Sequence, residues 1–160
     1  KFKQKFLLDY VEKGGNMIVQ YNTSGRRVID VGAPYELKIS RDRVTDETAK
    51  VTVLAENHSL LNFPNKIVAS DFDGWVQERG LYFPNKWGKE FTPILSMNDK
   101  GETAKKGSLL VAKYGKGYYM YTGLSFFREL PAGVPGAYKL FTNMLSIGKE
   151  NIKTPKEIKQ

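Results

Sequence analysis

One histidine, no cysteine and a group of carboxylates between residues 71 and 78 make up most of the chain's capacity for chemistry. The lack of Cys excludes disulfides, thiolate nucleophiles, Cys-ligated zinc and iron–sulfur clusters. His58 follows a turn-like Glu56-Asn57, and no second His stands at the i, i+4 spacing of a helical metal motif. A general base also needs an orienting partner in reach, so a structural or capping role is expected for His58. The stretch from Asp71 to Pro84 mixes Asp71, Asp73, Glu78 and Arg79 with Phe72, Trp75, Tyr82 and Phe83 between glycines. It admits three readings: an edge of the core on which Glu78 pairs locally with Arg79, a domain interface anchored by Trp and Arg, or a sugar site with stacking aromatic faces. Asp71 and Asp73, two apart as on one face of a strand, fall short of the separation a glycosidase requires. They also lack the remaining ligands of a calcium loop. Gly115-Lys116-Gly117 lacks the spacing of a phosphate loop.

A second charged run, Arg41 to Thr48, carries both signs. It reads as a surface loop with internal ion pairs, or as a docking surface for another domain. The binding or interface candidates are therefore Arg43, Asp46, Glu47, Asp71, Trp75, Glu78, Arg79 and Tyr82. No catalytic residue, cofactor-binding residue or metal ligand is assigned. The formal net charge is +8, but much of the excess lies at the two ends, in Lys1, Lys3 and Lys5 and in Lys149, Lys153, Lys156 and Lys159. Solvated surface is the expectation there, and no nucleic-acid partner. No apolar run approaches the roughly 20 residues of a membrane span.

The elements that position these residues follow from periodicity. Phe2, Phe6 and Tyr10 recur every fourth residue beside Leu7 and Val11, which predicts an amphipathic helix stopped by Gly14-Gly15. Met17–Tyr21 reads as a buried strand, bounded by the polar stretch 22–27. Helix, glycines and strand are the second half of a βαβ unit, which leads to the expectation of a preceding parallel strand and of an N-terminally truncated piece. Tyr35–Ile39 and Val51–Leu54 read as strands within a mixed region, as do Phe91–Met97 and Ser108–Tyr114. A glycine turn then leads into Tyr118–Thr122, completing a β-hairpin. Ala137–Leu145 is a last amphipathic helix ended by Gly148. One α/β domain over 1–148 and a polar tail over 149–160 result, with enough apolar and aromatic residues for a core.

This order of elements resembles the class I glutamine amidotransferase-like (flavodoxin-like) fold, a sheet with flanking helices. Its ThuA-like branch and the trimerisation domain of certain β-galactosidases are the members most in point. The residues that carry the resemblance are Tyr10–Val19, His58-Ser59-Leu60-Leu61, the Tyr114–Tyr118 hairpin and Asn143-Met144-Leu145. More closely, Asp42–Ala49, Trp75–Gly80 and Gly123–Gly133 look like the C-terminal region of long PIG-L (LmbE-like) deacetylases of Bacteroidetes-type bacteria.

That family removes an N-acetyl group from an amino sugar with zinc held by His and Asp in a separate N-terminal domain. No His-Pro-Asp-Asp type motif occurs here, and the amidotransferase Cys-His-Glu triad fails at its first member. The resemblance thus implies a non-catalytic accessory domain that packs on its own N-terminal catalytic domain, with zinc only there. A carbohydrate ligand, an oligomer, and a periplasmic or secreted parent are further expectations. Two rivals stay open: a hydrolase using Asp71, Asp73 or Glu78 with His58, and a sugar-binding module centred on Trp75 and Trp87.

Overall fold

The computed structural model describes residues 2–23 and 32–150. From residue 24 onward the expected polar boundary 22–27 lies outside the described residues. So do the first residues of the mixed region, Lys1, and the tail beyond Glu150. The elements run α1 (Phe2–Glu12), β1 (Asn16–Gln20), β2 (Leu37–Val44), β3 (Thr52–Val53), β4 (Gly80–Trp87), β5 (Phe91–Pro93), β6 (Leu95–Ser96), β7 (Leu109–Tyr114), β8 (Gly117–Thr122), α2 (Phe126–Glu129) and α3 (Pro135–Ser146). Single 3-10 turns at Ser59–Leu61 and Ala69–Phe72 lie between β3 and β4.

A four-stranded mixed sheet in the order β1-β8-β7-β5 is the spine, with β1 parallel to β8 and the other pairs antiparallel. Alternation along β7 and β8 sends Leu109, Val111 and Met120 to one face. Leu110, Ala112, Tyr119 and Tyr121 go to the other. Both faces are buried, which is why these strands read as continuous apolar runs rather than as half-polar ones. The first face packs under Leu140 and Met144 of α3 and under Leu60, Phe72, Trp75 and Phe126. The second is covered by Tyr35, Leu37, Ile39 and Trp87. The structure is thus mixed α/β, an open sheet with flanking helices, and it bears out the predicted hairpin and final helix.

Five local expectations need correction. The aromatics Phe6 and Tyr10 of α1 are not a buried stripe, being 60% and 58% exposed, while Val11 is the helix residue that is fully buried. Spacing shows that residues share a face; it cannot show whether a neighbour covers that face. Likewise β1 is half-buried and stands at the sheet's edge.

The predicted strand 91–97 is two strands. Phe91–Pro93 pairs with β7, and Leu95–Ser96 pairs with β3 in a separate two-stranded ladder. Pro93 has no N–H to continue a ladder, and the chain changes sheets at the fully buried Ile94.

The ladder β2·β4 also departs from expectation. It extends the strand at residue 37 through the charged run, expected as a surface loop or docking surface, to Val44, and forms β4 where no strand is assigned from the sequence. Proline is admitted because Pro84 sits at a register shift in a two-stranded ribbon. Finally, Asp71 lies in a 3-10 turn that ends before Asp73, so the two do not share a strand face.

Candidate functional site

Where β1 and β8 end side by side, the start of β4 crosses them backbone on backbone. Leu81 N–H donates to Gly123 O at 2.9 Å, and Gly80 bridges Leu124. A Cβ on Gly80 would stand 2.2 Å from Gly123 O, and one on Gly123 would stand 2.3 Å from Leu81 O. Only glycine permits this crossing. Ligands of open α/β sheets gather at such carboxyl ends of parallel strands, which makes the crossing the natural place to look for a site.

Three non-glycine residues with left-handed backbone, Tyr21 (φ 52°), Gln77 (φ 67°) and Tyr82 (φ 57°), fall in the segments that meet here. Such conformations cost on the order of 1 kcal/mol or more each, and persist only where surrounding structure imposes them. The Tyr21 ring lies 5.4 Å edge-on from Tyr82 and 4.3 Å from Phe127. The fully buried Tyr121 donates its hydroxyl to Tyr82 O at 3.0 Å. Arg128 sits over Phe127 at 4.8 Å, gives Nε to Glu78 Oε1 at 3.2 Å, and its charge reaches the Tyr21 phenol. Burial, with the Glu78 charge nearby, raises the Tyr21 phenol above its ordinary value. It therefore stays a neutral donor rather than a phenolate nucleophile.

The candidates from the sequence divide sharply. Arg79 is 4% exposed and serves the interior. Its Nε and one terminal nitrogen donate to Ala49 O at 3.0 and 2.8 Å, the other terminal nitrogen to Phe72 O, and the guanidinium lies over Trp75. Burial pulls its pKa down, against the fields of Asp46, Asp73, Glu129 and Glu47. The expected Glu78–Arg79 pair does not form, because Glu78 faces Arg128 instead.

Trp75 is 3% exposed, between Phe72 and Phe126, with Nε1 donating to Asp71 O at 3.1 Å. A ring so enclosed cannot stack on a sugar, which removes it from the module proposed around Trp75 and Trp87. Asp71 accepts from Val68 N–H at 2.8 Å and from Lys139 Nζ at 2.7 Å, tying a 3-10 turn to α3.

In the run Arg41–Thr48 the expected internal ion pairs are absent among the described residues. Asp46 instead accepts from Thr48 N–H at 2.8 Å and Thr48 Oγ1 at 2.6 Å, bonds that lower its pKa. Asp99 accepts from the backbone of Thr45 and Asp46 at 2.9–3.0 Å. Glu47 is exposed. Only Tyr82, Glu78 and Arg43 of the eight candidates reach the crossing or the cleft beside it, which Thr23, Arg41, Arg43, Leu81 and Tyr82 line with a volume of about 280 Å³.

His58 does what its lone occurrence suggested. Nδ1 accepts Leu60 N–H at 3.1 Å and caps the 3-10 turn, and burial lowers its pKa, leaving a neutral ring. The carboxylate whose charge reaches it is that of Glu150, not Asp71, Asp73 or Glu78.

A buried acid escaped the sequence reading: Glu129 is fully buried, with Oε2 accepting Val76 N–H at 3.0 Å. Ser125 Oγ lies 2.7 Å from Glu78 O and 3.2 Å from Glu129 Oε1. Ser125 Oγ donates toward both oxygens, and burial raises the Glu129 pKa above the ordinary carboxylate value against the hydrogen bonds from Val76 and Ser125. Tyr21, Phe127 and Arg128 were also missed. Their signal was positional, since Tyr21 directly follows β1, and Phe127 and Arg128 lie in α2, the element after β8. Among the described residues no group of three or more His, Cys, Asp or Glu could hold a metal ion.

The chain matches no protein-family model and no curated protein. Among solved structures it is similar to a β-galactosidase from Rahnella sp. R3, with a TM-score of 0.52 and 16% identity over 91% of this chain. The chain spans 20% of that protein's length. At this identity the likeness is one of fold.

Proposed function

We propose that this chain is a non-catalytic accessory domain of class I glutamine amidotransferase-like fold, which packs on the catalytic domain of a zinc-dependent N-acetyl-sugar deacetylase. The observation that carries the reading is the employment of its lone histidine and its buried charged groups. His58 caps a turn, Asp71 joins Lys139 to Val68, Arg79 binds two carbonyls, and Glu129 is sealed against Val76 and Ser125. Groups so committed hold a fold and have no capacity left to turn over a substrate. The hydrolase alternative needs His58 beside Asp71, Asp73 or Glu78, and the bonds of His58 and Asp71 run elsewhere.

The surface that meets the catalytic domain is α1 with the outer edge of β1. Leu7 and Tyr10 are 48% and 58% exposed on that helix, and β1 has a neighbouring strand on one side only among the described residues. Apolar residues beside an unpaired strand edge mark a place for further protein to pack. Zinc in this reading belongs to the catalytic domain, and no residue of this chain is assigned to it. The likeness to one fifth of a β-galactosidase supports a part played within a larger carbohydrate-active protein.

The test is to express the longer gene product with and without residues 1–148. Removal is expected to lower the thermal stability of the remainder, alter its assembly, or reduce its turnover of an N-acetylglucosaminide. A truncated protein unchanged in all three would end the proposal.

A further inference from the structure

The cleft beside the strand crossing has a composition that the accessory role leaves unexplained. It is lined by two arginines, one tyrosine, one leucine and one threonine. Arg41 and Arg43 are both exposed, and no described carboxylate comes within ion-pair distance of either guanidinium. In the adjoining cleft, where the same two arginines meet Asp42, Glu102, Thr103 and Lys105, the Glu102 carboxylate is taken by Lys105. Two like charges lining one cleft, with no ion-pair partner among the described residues, favour an anion between them.

The backbone is shaped to hold this arrangement. In the β2·β4 ladder Ile39 pairs with Pro84 and Asp42 with Phe83, so Ser40 and Arg41 are extra residues on β2. Asp42 pairs with Phe83 and Val44 with Gly80, so Leu81 and Tyr82 together face Arg43. The ladder is thus irregular on both strands within one short span, and Arg41, Arg43, Leu81 and Tyr82 of the irregular residues line the cleft. Bulges re-aim side chains and gather at binding sites. Ser40 Oγ fastens the first irregularity by donating to Phe83 O at 2.6 Å and accepting from Asp42 N–H at 2.9 Å. Tyr121 and Tyr21 fasten the second around the left-handed Tyr82.

We infer that this cleft binds an oxyanion-bearing sugar, with Arg41 and Arg43 on its carboxylate or sulfate and the Tyr82 ring against its apolar face. Guanidinium groups engage two oxygens of a carboxylate or a tetrahedral oxyanion through paired hydrogen bonds, and an aromatic wall suits a pyranose ring. That the anion is carried by a sugar rests on the carbohydrate role proposed above; that an anion binds does not.

Titration calorimetry of the chain itself tests this, with no catalytic domain present, so that its failure is separate from a failure of docking. The probes are a trigalacturonate, a sulfated galactotriose, neutral galactotriose and a single-stranded hexanucleotide. One or both charged sugars are expected to bind, and to distinguish carboxylate from sulfate, with the neutral sugar at least about tenfold weaker. The R41Q/R43Q variant should lose about tenfold or more in affinity with an unchanged melting temperature. A K89Q/K113Q variant of equal net charge, altered at exposed lysines away from the cleft, should bind as the parent does. The inference is overturned if neither charged sugar binds at millimolar concentration, if neutral galactotriose binds as well, if the two variants behave alike, or if the hexanucleotide binds more tightly than the sugars.

Discussion

Replacing Gly136 with alanine sets helix propensity against tertiary packing, and the two give opposite signs. In an isolated helix the change would stabilise by about 1 kcal/mol. In this fold the added Cβ would stand 1.8 Å from Asp71 O, 2.4 Å from its carbonyl carbon and 2.5 Å from its Cα. That is ~1.5 Å or more inside ordinary contact, and every obstructing atom is backbone. Relief requires α3 to move away from the 3-10 turn at Ala69–Phe72. The turn resists, because Asp71 O accepts from Trp75 Nε1 and its carboxylate is held by Val68 N–H and Lys139 Nζ.

Overpacking of this kind costs about 1–3 kcal/mol, and loss of the indole bond adds about 1 more. After subtracting the gain in propensity, a net loss of about 1–3 kcal/mol is expected, or roughly 2–12 °C in Tm for a domain of this size. Circular dichroism melts and urea midpoints would measure it, and the emission of Trp75 should shift as its enclosure loosens. An alanine variant as stable as the parent, or more stable, would refute the close approach and with it the placement of α3.

Three further outcomes follow from buried polar groups. Asn143 is fully buried and joins α3 to the distant segment 60–65, donating to Leu60 O and Asn65 O at 2.8 Å each and accepting Asn65 N–H at 2.9 Å. Asn143→Ala should cost about 3 kcal/mol in urea denaturation, and Asn143→Asp should not restore it, since both donations are lost. Arg79→Met leaves the Ala49 and Phe72 carbonyls without their donors and should cost about 2–4 kcal/mol; Arg79→Lys, lacking the fork, should recover less than half. Glu129 has its pKa raised in the fold, so its contribution is fully present below the ordinary carboxylate value and is lost as pH rises through the folded one. The Tm difference between Glu129→Gln and the parent should therefore move in favour of the variant as pH rises, and parallel curves would contradict a buried acid.

Much of the scaffold could be read from residue order, because its signals are local. The continuous apolar runs at 109–114 and 118–122, with glycines between them, specify a hairpin buried on both faces. The amphipathic spacing around Leu140 and Met144 specifies the last helix. The lone His58, with no partner at metal spacing, pointed to a cap. What failed did so where a distant neighbour decides the outcome. Tyr10 is exposed and Val11 buried because β8 lies against one side of α1 only. Trp75 and Arg79 look like interface anchors in sequence and are interior groups in space, because the carbonyls of Ala49 and Phe72 stand where a guanidinium can reach both.

The candidate site shows the same division. Composition and order determined that this chain carries no thiol chemistry, forms an α/β sheet, and concentrates charge and aromatic rings in two segments, since each of these follows from residue type and short-range spacing. Only the tertiary structure decided which of those residues meet. The Gly80–Gly123 crossing and the register irregularities of the β2·β4 ladder bring Arg41, Arg43 and Tyr82 to one cleft and place Tyr21 and Arg128 beside it. Register between strands far apart in sequence is set by packing over the whole sheet, and no local pattern encodes it.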